Sequence, residues 1–298
     1  SIPPALRVDS LNLGLSMIKN LFLCVGSQKS GTTWLHSVLK NHPDIFFPHV
    51  KEVHYFDTIY NGSILLSARK VERIKKIIEN NKFALEKYFT ALSQGLPLDS
   101  GIKNFLSPVN DQWYLEFLKK NKKKYAADFS PEYALLPSEG FKCVKKLSEN
   151  RKIIFLMRDP VSRSKSAIQY FFQMKGDNDN ISEEEIWNVV NKGFAVNMSK
   201  YQNTIKILKE EFSDNELLFM FFENIMENKQ KAINKICDFL EIEHKTVNLN
   251  ELEEKVNESK KIDFPKNLDD FLLENLVDTY KFVSSEFCEI PSKWRLVA

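Results

Sequence analysis

LFLCVGSQKSGTTWLHSVL, the stretch from residue 21 to residue 39, carries the pattern that decides the fold. Its apolar run, LFLCV, predicts a strand that is buried on both faces and ends at Gly26. After a polar turn that contains Gly31, TWLHSVL places apolar residues at helical spacing. A turn of this kind between a buried strand and a helix is typical of a phosphate-binding loop, because backbone N–H groups and the helix N-terminus face the anion.

The side chains of this turn supply further donors to an anion. They include one cation, Lys29, and the hydroxyl groups of Ser30, Thr32 and Thr33. A nucleotide-hydrolysing P-loop has its lysine directly after the second glycine, where this chain has Thr32. No predicted buried strand ends in a bare aspartate that would hold magnesium. We therefore predict a phosphate site that works without a metal; the alternative is an ordinary strand-to-helix turn.

Short apolar strands alternate with helices along the chain. Besides LFLCV, strands are predicted at KKKYAADFS, RKIIFLMRD and LLFMFFE, and helices at TWLHSVLKNH, 65–94, 111–119, VSRSKSAIQYFFQM, KYQNTIKILKEEF and KQKAINKICDFLEI. This alternation predicts an α/β fold, in which a parallel sheet is flanked by helices on both faces. Residues 1–16 show no periodicity, and we expect a tail or an added linker there. Residues 17–298, with a native start near Met17, are expected to form one domain.

The overall composition indicates which classes of protein and which cellular location can be expected. The chain has 42 basic and 40 acidic side chains, a balance that argues against a nucleic-acid-binding protein. Its apolar runs are too short to span a membrane. The four cysteines are widely spaced and form no CxxC pair, so we expect buried thiols in a reducing compartment. Because no signal peptide is visible either, the expected location is the cytoplasm.

A second cation stands at the carboxyl end of a buried strand. In RKIIFLMRDPVSRSKS, Arg158 follows the apolar run, and Ser166 comes eight residues later on the next predicted helix. Ligands of open parallel sheets bind at this edge, so the two side chains could form an anion site separate from the loop. The alternative is that Arg158 pairs with a carboxylate and that Ser166 is a surface residue.

The segment KEVHYFD, residues 51–57, combines a carboxylate with an imidazole. If the segment is extended, Glu52 and His54 lie on one face and can act as a general base and its orienting partner. The alternative is a pair of solvated side chains. The five histidines have none of the helical spacings that a zinc site uses, so no metal site is predicted.

In this order, the motifs resemble those of sulfotransferases that use 3′-phosphoadenosine 5′-phosphosulfate (PAPS), over nearly the whole chain from Met17. The likeness is greatest to the heparan sulfate 3-O-sulfotransferases and their bacterial relatives. The motifs are GSQKSGTT from residue 26, EVHYFD from 52, SPEY from 130, RDPVSRSKS from 158, NMSKYQNTIKIL from 197 and NESKKIDFP from 257. The resemblance implies the sulfotransferase fold and the transfer of a sulfuryl group from PAPS to an acceptor hydroxyl.

Roles for individual residues follow from the resemblance. It implies that Glu52 is the general base, that His54 supports it, and that Lys29 acts at the leaving oxygen. The loop then binds the 5′-phosphosulfate, while Arg158 and Ser166 bind the 3′-phosphate. The implied cofactor-binding residues are Ser27, Gln28, Lys29, Ser30, Gly31, Thr32, Thr33, Arg158, Ser166, Ser259, Lys260 and Lys261. Near the acceptor, the resemblance places Asp128, Phe129 and Tyr201.

Two positions depart from the pattern of the family branch. A lysine that precedes the family's TP dipeptide is Phe129 here, so more of the charge neutralisation is expected to fall on Lys29. A basic residue of the loop that closes over the cofactor is Ile262 here, and no cysteine flanks that loop.

Several functional readings stay open at this stage. The acceptor is a sugar hydroxyl, a lipid or phenol, or a hydroxyacyl chain on a carrier protein. The alternatives from other classes are a P-loop nucleotide kinase, which would bind ATP and magnesium, and a non-catalytic nucleotide-binding relative of the enzymes. The lysine displaced from the Walker position argues against the kinase, and the presence of Glu52 argues against the non-catalytic relative.

Overall fold

The computed structural model describes residues 17–63, 109–119, 122–176, 181–244 and 262–294. Its five parallel strands form one sheet in the order β2–β3–β1–β4–β5. The bounds are Ile18–Gly26 for β1, Ile45–Phe46 for β2, Tyr125–Asp128 for β3, Ser148–Met157 for β4 and Leu217–Phe221 for β5. The helix predicted at 65–94 and the residues Ser259, Lys260 and Lys261 lie outside the described residues.

Strand β1 lies at the centre of the sheet. It pairs with β3, where Leu21 is opposite Ala126, and with β4, where Leu23 is opposite Ile153. Successive side chains of a strand point to opposite faces. Accordingly, Leu21 and Leu23 belong to one apolar core cluster and Phe22 belongs to the other. Both faces are covered, which explains why the run LFLCV is apolar throughout.

Helices pack against both faces of the sheet. The described helices are α1 (Thr32–Leu39), α2 (Tyr55–Tyr60), α3 (Asp111–Lys119), α4 (Ser138–Leu147), α5 (Pro160–Lys175), α6 (Glu183–Asn191), α7 (Phe194–Asn197), α8 (Tyr201–Glu211), α9 (Phe222–Glu227), α10 (Lys229–Leu240) and α11 (Leu268–Glu286). Leu35 of α1 and Ile236 of α10 pack in one core cluster. Phe141 of α4 and Leu272 of α11 pack in the opposite one. The predicted α/β architecture is confirmed.

Helix α5 begins where its sequence predicts. Asp159 is the N-cap, and its side chain accepts a hydrogen bond from the Ser162 backbone N–H at 2.8 Å. Pro160 occupies the first helical position, and Gly176 ends the helix with a φ of 82°. Because α5 follows β4 with so short a connection, Arg158 lies at the carboxyl edge of the sheet.

The extended geometry considered for KEVHYFD is wrong. Helix α2 begins at Tyr55, and His54, which caps it, has a left-handed backbone with a φ of 57°. The hydroxyl of Ser130 accepts hydrogen bonds from the backbone N–H groups of Val53 at 2.9 Å and His54 at 3.1 Å. The segment therefore turns around a side chain of the SPEY motif instead of pairing with a strand.

Candidate active site

The loop between β1 and α1 is folded tightly around its own polar groups. The hydroxyls of Ser27 and Ser30, both buried, lie 2.6 Å apart. Gly26 has a φ of 134°, and a Cβ at this position would lie 2.6 Å from the carbonyl oxygen of Pro131. Gly31 has a φ of 93° and is the N-cap of α1. Both glycines are required by the backbone geometry, which brings the N-terminus of α1 to the loop, where it favours an anion.

Two partly buried cations, one in the loop and one at the end of β4, lie close together here. Lys29 has a left-handed backbone with a φ of 70°, and its Nζ lies 4.4 Å from the centroid of the Tyr170 ring. Arg158 donates from Nη1 to the carbonyl of Lys29 at 3.3 Å, and its guanidinium carbon lies 5.0 Å from the centroid of the Phe222 ring. Both cations therefore rest on aromatic rings and a carbonyl, contacts that leave their positive charge uncompensated.

A third cation, Arg163, lies beneath the loop and is fully buried. Its guanidinium donates to the carbonyl of Gln28 at 3.1 Å, to the hydroxyl of Ser199 at 2.5 Å and to the carbonyl of Ala195. All three acceptors are neutral. Arg163 therefore fixes the position of the loop through Gln28 and adds a positive charge behind it.

The electrostatics of this region favour a bound anion. Burial lowers the pKa of Lys29 below its ordinary value, and the nearby charges of Arg158 and Arg163 lower it further. Burial also lowers the pKa of Arg163, to about 10, with a contribution from Arg158. Within the described ranges, no carboxylate forms an ion pair with any of these three cations. A phosphate or sulfate group at the loop would relieve their mutual repulsion.

Glu52 lies across from the loop and is held by two cations. Lys51 donates from Nζ to Glu52 Oε1 at 2.8 Å, and His54 Nε2 lies 3.4 Å from Glu52 Oε2. Burial acts to raise the pKa of Glu52, but the interactions with His54 and Lys51 outweigh it and hold the pKa well below its usual range. Glu52 is therefore ionised at neutral pH.

His54 is buried among carboxylates. Its Nδ1 lies 2.9 Å from Asp57 Oδ2 and 3.7 Å from Glu132 Oε2. Burial acts to lower the pKa of His54, but the interactions with Asp57, Glu52 and Glu132 raise it to about 9. His54 is therefore protonated at neutral pH; its Nδ1 donates to Asp57, whereas its Nε2 approaches Glu52 as an ion pair without a hydrogen bond.

Asp128 lies at the end of β3, beneath the turn that carries Glu52. It is fully buried and accepts hydrogen bonds from the hydroxyls of Ser130 at 2.7 Å, Tyr133 at 2.8 Å and Tyr114 at 3.2 Å. Burial raises the pKa of Asp128 to about 6. Because Ser130 also binds the backbone of His54, Asp128 supports the site from below.

The other two residues assigned to the acceptor are also buried. The ring of Phe129 is fully buried and packs edge-on against Phe22 and Phe47, with centroid distances of 5.1 and 5.0 Å. The hydroxyl of Tyr201 donates to the carbonyl of Arg158 at 2.7 Å, and its ring is fully buried. In this structure, neither ring is exposed to solvent, and the contact of these side chains with an acceptor stays a prediction.

The structure brings most of the predicted site residues together at the carboxyl edge of the sheet. The loop residues, Glu52, His54 and Arg158 all lie there, and Ser166 follows on α5 with a partly exposed side chain. The sequence interpretation missed Lys51, Asp57, Glu132 and Arg163. Each stands within or beside a quoted motif, so their positions were visible, but the contacts that give them a role come only from the folded chain.

Comparison with known proteins assigns the class. The sulfotransferase domain family matches residues 19–284, and the chain therefore belongs to the sulfotransferases. A curated relative, the membrane-associated sulfotransferase kil1 of Dictyostelium discoideum, is 27% identical over 154 residues, which are 52% of this chain and 23% of that protein. The chain thus aligns with about a quarter of the length of this relative. None of the helices in the described ranges combines the length and the hydropathy needed to cross a bilayer.

Solved structures support the fold assignment. A sulfotransferase from Alicyclobacillus acidocaldarius is similar with a TM-score of 0.60 and 16% identity, covering 94% of this chain and 100% of that one. The sulfotransferase domain of the Synechococcus PCC 7002 olefin synthase is similar with a TM-score of 0.55 and 18% identity, covering 93% of this chain and 97% of that one. At these identities the likeness concerns the fold.

Proposed function

We propose that this sulfotransferase transfers the sulfuryl group of PAPS to an acceptor hydroxyl, with Glu52 as the general base. One observation carries the proposal: Lys51 Nζ lies 3.1 Å from Thr33 Oγ1 and 2.8 Å from Glu52 Oε1. The phosphate-binding loop and a carboxylate are therefore separated by a single side chain. A group transfer needs this arrangement, because the donor and the base must meet at the same acceptor oxygen.

The two anionic ends of the cofactor have separate candidate sites. The loop with Lys29 suits the 5′-phosphosulfate, and Arg158 with Ser166 suits the 3′-phosphate. Ser259, Lys260 and Lys261 are proposed to close over the nucleotide, on the strength of the NESKKIDFP motif. A transferring sulfuryl group carries less negative charge than a phosphoryl group. Lys29, backbone amides and a helix N-terminus are therefore sufficient to stabilise the leaving group without a divalent ion.

The proposed reaction is a single in-line displacement. The acceptor oxygen attacks sulfur while Glu52 takes the hydroxyl proton. The bond between sulfur and the bridging oxygen breaks, Lys29 neutralises the charge that develops on that oxygen, and 3′,5′-ADP leaves. His54 holds Glu52 in place from its Nε2, 3.4 Å away, and is itself held by Asp57. No covalent intermediate with the protein is required.

The rival base is His54, and its surroundings argue against it. A pKa of about 9 leaves the imidazole protonated at neutral pH, so it cannot accept the acceptor's proton. Glu52 is ionised under the same conditions. The charge states therefore support Glu52 as the base and His54 as its partner.

The acceptor class is a sugar, a lipid or phenol, or a carrier-bound hydroxyacyl chain. The narrower likeness to the heparan sulfate 3-O branch rests on the motifs alone. A cytoplasmic location is supported by the cysteines, since all four are free and three of them are buried.

The proposal is tested first by binding and then by transfer. Calorimetry should show that 3′,5′-ADP binds in the presence of EDTA, whereas ATP with magnesium binds more weakly. Radiolabelled PAPS should then pass its label to one member of an acceptor panel that spans the three classes. Tighter binding of ATP–magnesium would support the kinase, and binding of 3′,5′-ADP without transfer to any acceptor would support the non-catalytic relative.

A further inference from the structure

Lys51 occupies the space between the donor site and the base. Its Nζ contacts Thr33 Oγ1 at 3.1 Å, at the start of α1, and Glu52 Oε1 at 2.8 Å. The side chain is partly exposed, at 22% of its surface, as is that of Glu52 at 23%. An ammonium on a flexible stem can therefore move between the two groups without a change in the backbone.

The contact with Lys51 makes Glu52 a weak base in the resting protein. The interactions with His54 and Lys51 hold the pKa of Glu52 low against the opposing effect of burial. A carboxylate with a low pKa removes a proton poorly. His54 cannot readily move away from Glu52, because its ring is buried and its Nδ1 is bound to Asp57. Lys51 is the partner that can leave.

We propose that Lys51 is a catalytic residue that changes partners during the reaction. When the cofactor occupies the loop, the ammonium leaves Glu52 and binds an oxygen of the transferring sulfuryl group. This places positive charge where negative charge develops, and Glu52 regains basicity at the same step. The inference rests on the sulfuryl transfer proposed above.

Among the described residues, the other cations of the site are already engaged: His54 is bound to Asp57, and Lys29 is assigned to the bridging oxygen. From α1, His36 faces Glu52, and burial lowers its pKa to about 4, so it is neutral. From the turn after β3, Glu132 contributes a carboxyl group. The position at which the family branch has a lysine is occupied by Phe129, which is buried. Lys51 is therefore placed to supply the charge that this chain lacks at that position.

Three variants test the inference by steady-state kinetics with PAPS and an accepted substrate. Lys51→Met should lower kcat by about 10²- to 10³-fold, as removal of a transition-state donor does, with a smaller change in KM for PAPS. Lys51→Arg keeps the charge and should recover most of kcat. Lys40→Met, at an exposed position just after α1, is the matched control and should behave like the parent.

A pH profile separates this role from a purely structural one. In the free enzyme, removal of Lys51 raises the pKa of Glu52, so the acid limb of kcat/KM for PAPS should move to higher pH in Lys51→Met and not in Lys40→Met. The inference is overturned if Lys51→Met retains parental kcat, or if it binds 3′,5′-ADP normally and loses activity with no shift of the acid limb. A parent protein that transfers no sulfate from PAPS overturns the proposed function instead, before the variants are compared.

Discussion

Glu52 and His54 hold each other in their charged forms. The pKa of Glu52 is lowered and that of His54 is raised to about 9, although burial acts against both shifts. The imidazole reaches this state because its other nitrogen lies 2.9 Å from Asp57. A partly buried pair of this kind keeps the proposed base ionised and fixed in orientation over the whole neutral range.

At the scale of a single residue, Glu52→Gln tests the base. The amide keeps the shape of the side chain but cannot take a proton, so kcat should fall by about 10²- to 10⁴-fold. Binding of 3′,5′-ADP, measured by calorimetry, should be preserved because the loop is untouched. Glu227→Gln, at an exposed position at the end of α9, should leave both quantities unchanged. Near-parental transfer by Glu52→Gln would make His54 the better candidate.

The pH profile of the parent follows from the same two groups. Because the pKa of Glu52 is held low, kcat should persist well below pH 6. Because His54 loses its proton as the pH rises through about 9, the support of Glu52 weakens and kcat should fall on the alkaline side. A histidine base with this pKa would give the opposite result, with activity rising towards pH 9.

At the scale of elements, the strands that could be predicted from the sequence are those whose burial produces a continuous apolar run. Strands β1, β4 and β5 are covered on both faces, and their apolar runs show it. Strand β2 has only two residues, Ile45 and Phe46, which is too short to produce a pattern. The turn before α2 depends on the hydroxyl of Ser130, a contact across 76 positions of the chain. No local periodicity records such a contact.

The elements that carry Lys29 and Arg158 have different expected roles, and two substitutions separate them. Arg158 lies at the end of β4 and should bind the 3′-phosphate in the ground state. Arg158→Ala should therefore weaken the binding of 3′,5′-ADP by about 2–3 kcal/mol, as measured by calorimetry.

Lys29 lies in the loop, and its charge is needed most while the bridging oxygen leaves. Lys29→Ala should lower kcat more than it lowers the affinity for 3′,5′-ADP.

The outcome for Arg158 decides between the two interpretations of its position. Unchanged affinity in Arg158→Ala would remove it from the phosphate site and leave it as a structural partner of Phe222 and the Lys29 carbonyl. Equal loss of affinity and of kcat in Lys29→Ala would mean that Lys29 binds the ground state and has no special role in the leaving step.

At the scale of the whole molecule, the parts of the candidate site that could be predicted are those contained in short, continuous motifs. The loop and EVHYFD could be identified from short stretches, because each motif carries its own donors or carboxylate. The links between them could not. Gln28 bonds to Glu132 across 104 positions and to Arg163 across 135. Which charges face one another is decided by the strand order of the sheet, which brings these segments to a common edge.

The same strand order gathers cations in a chain that is nearly neutral overall. The net charge is +2, yet Lys29, Arg158 and Arg163 lie together at the loop, and the two arginines both act to lower the pKa of Lys29. Repulsion among them opposes folding of the unliganded protein. An anion at the loop removes this repulsion, so ligand binding and global stability should be coupled through charge.

Thermal unfolding tests this coupling in the full chain. At 100 times its Kd, 3′,5′-ADP should stabilise the protein by about 2.7 kcal/mol. For a chain of 298 residues, that corresponds to a rise in Tm of roughly 4–5 °C. Pyrophosphate should give a smaller rise, because it reaches the loop but not the 3′-phosphate site. Adenosine, which lacks phosphate, should give almost none, and the rise should shrink with added salt as the charges are screened. If adenosine raised Tm as much as 3′,5′-ADP does, the stabilisation would come from base stacking, and the cation cluster would not be the source of the coupling.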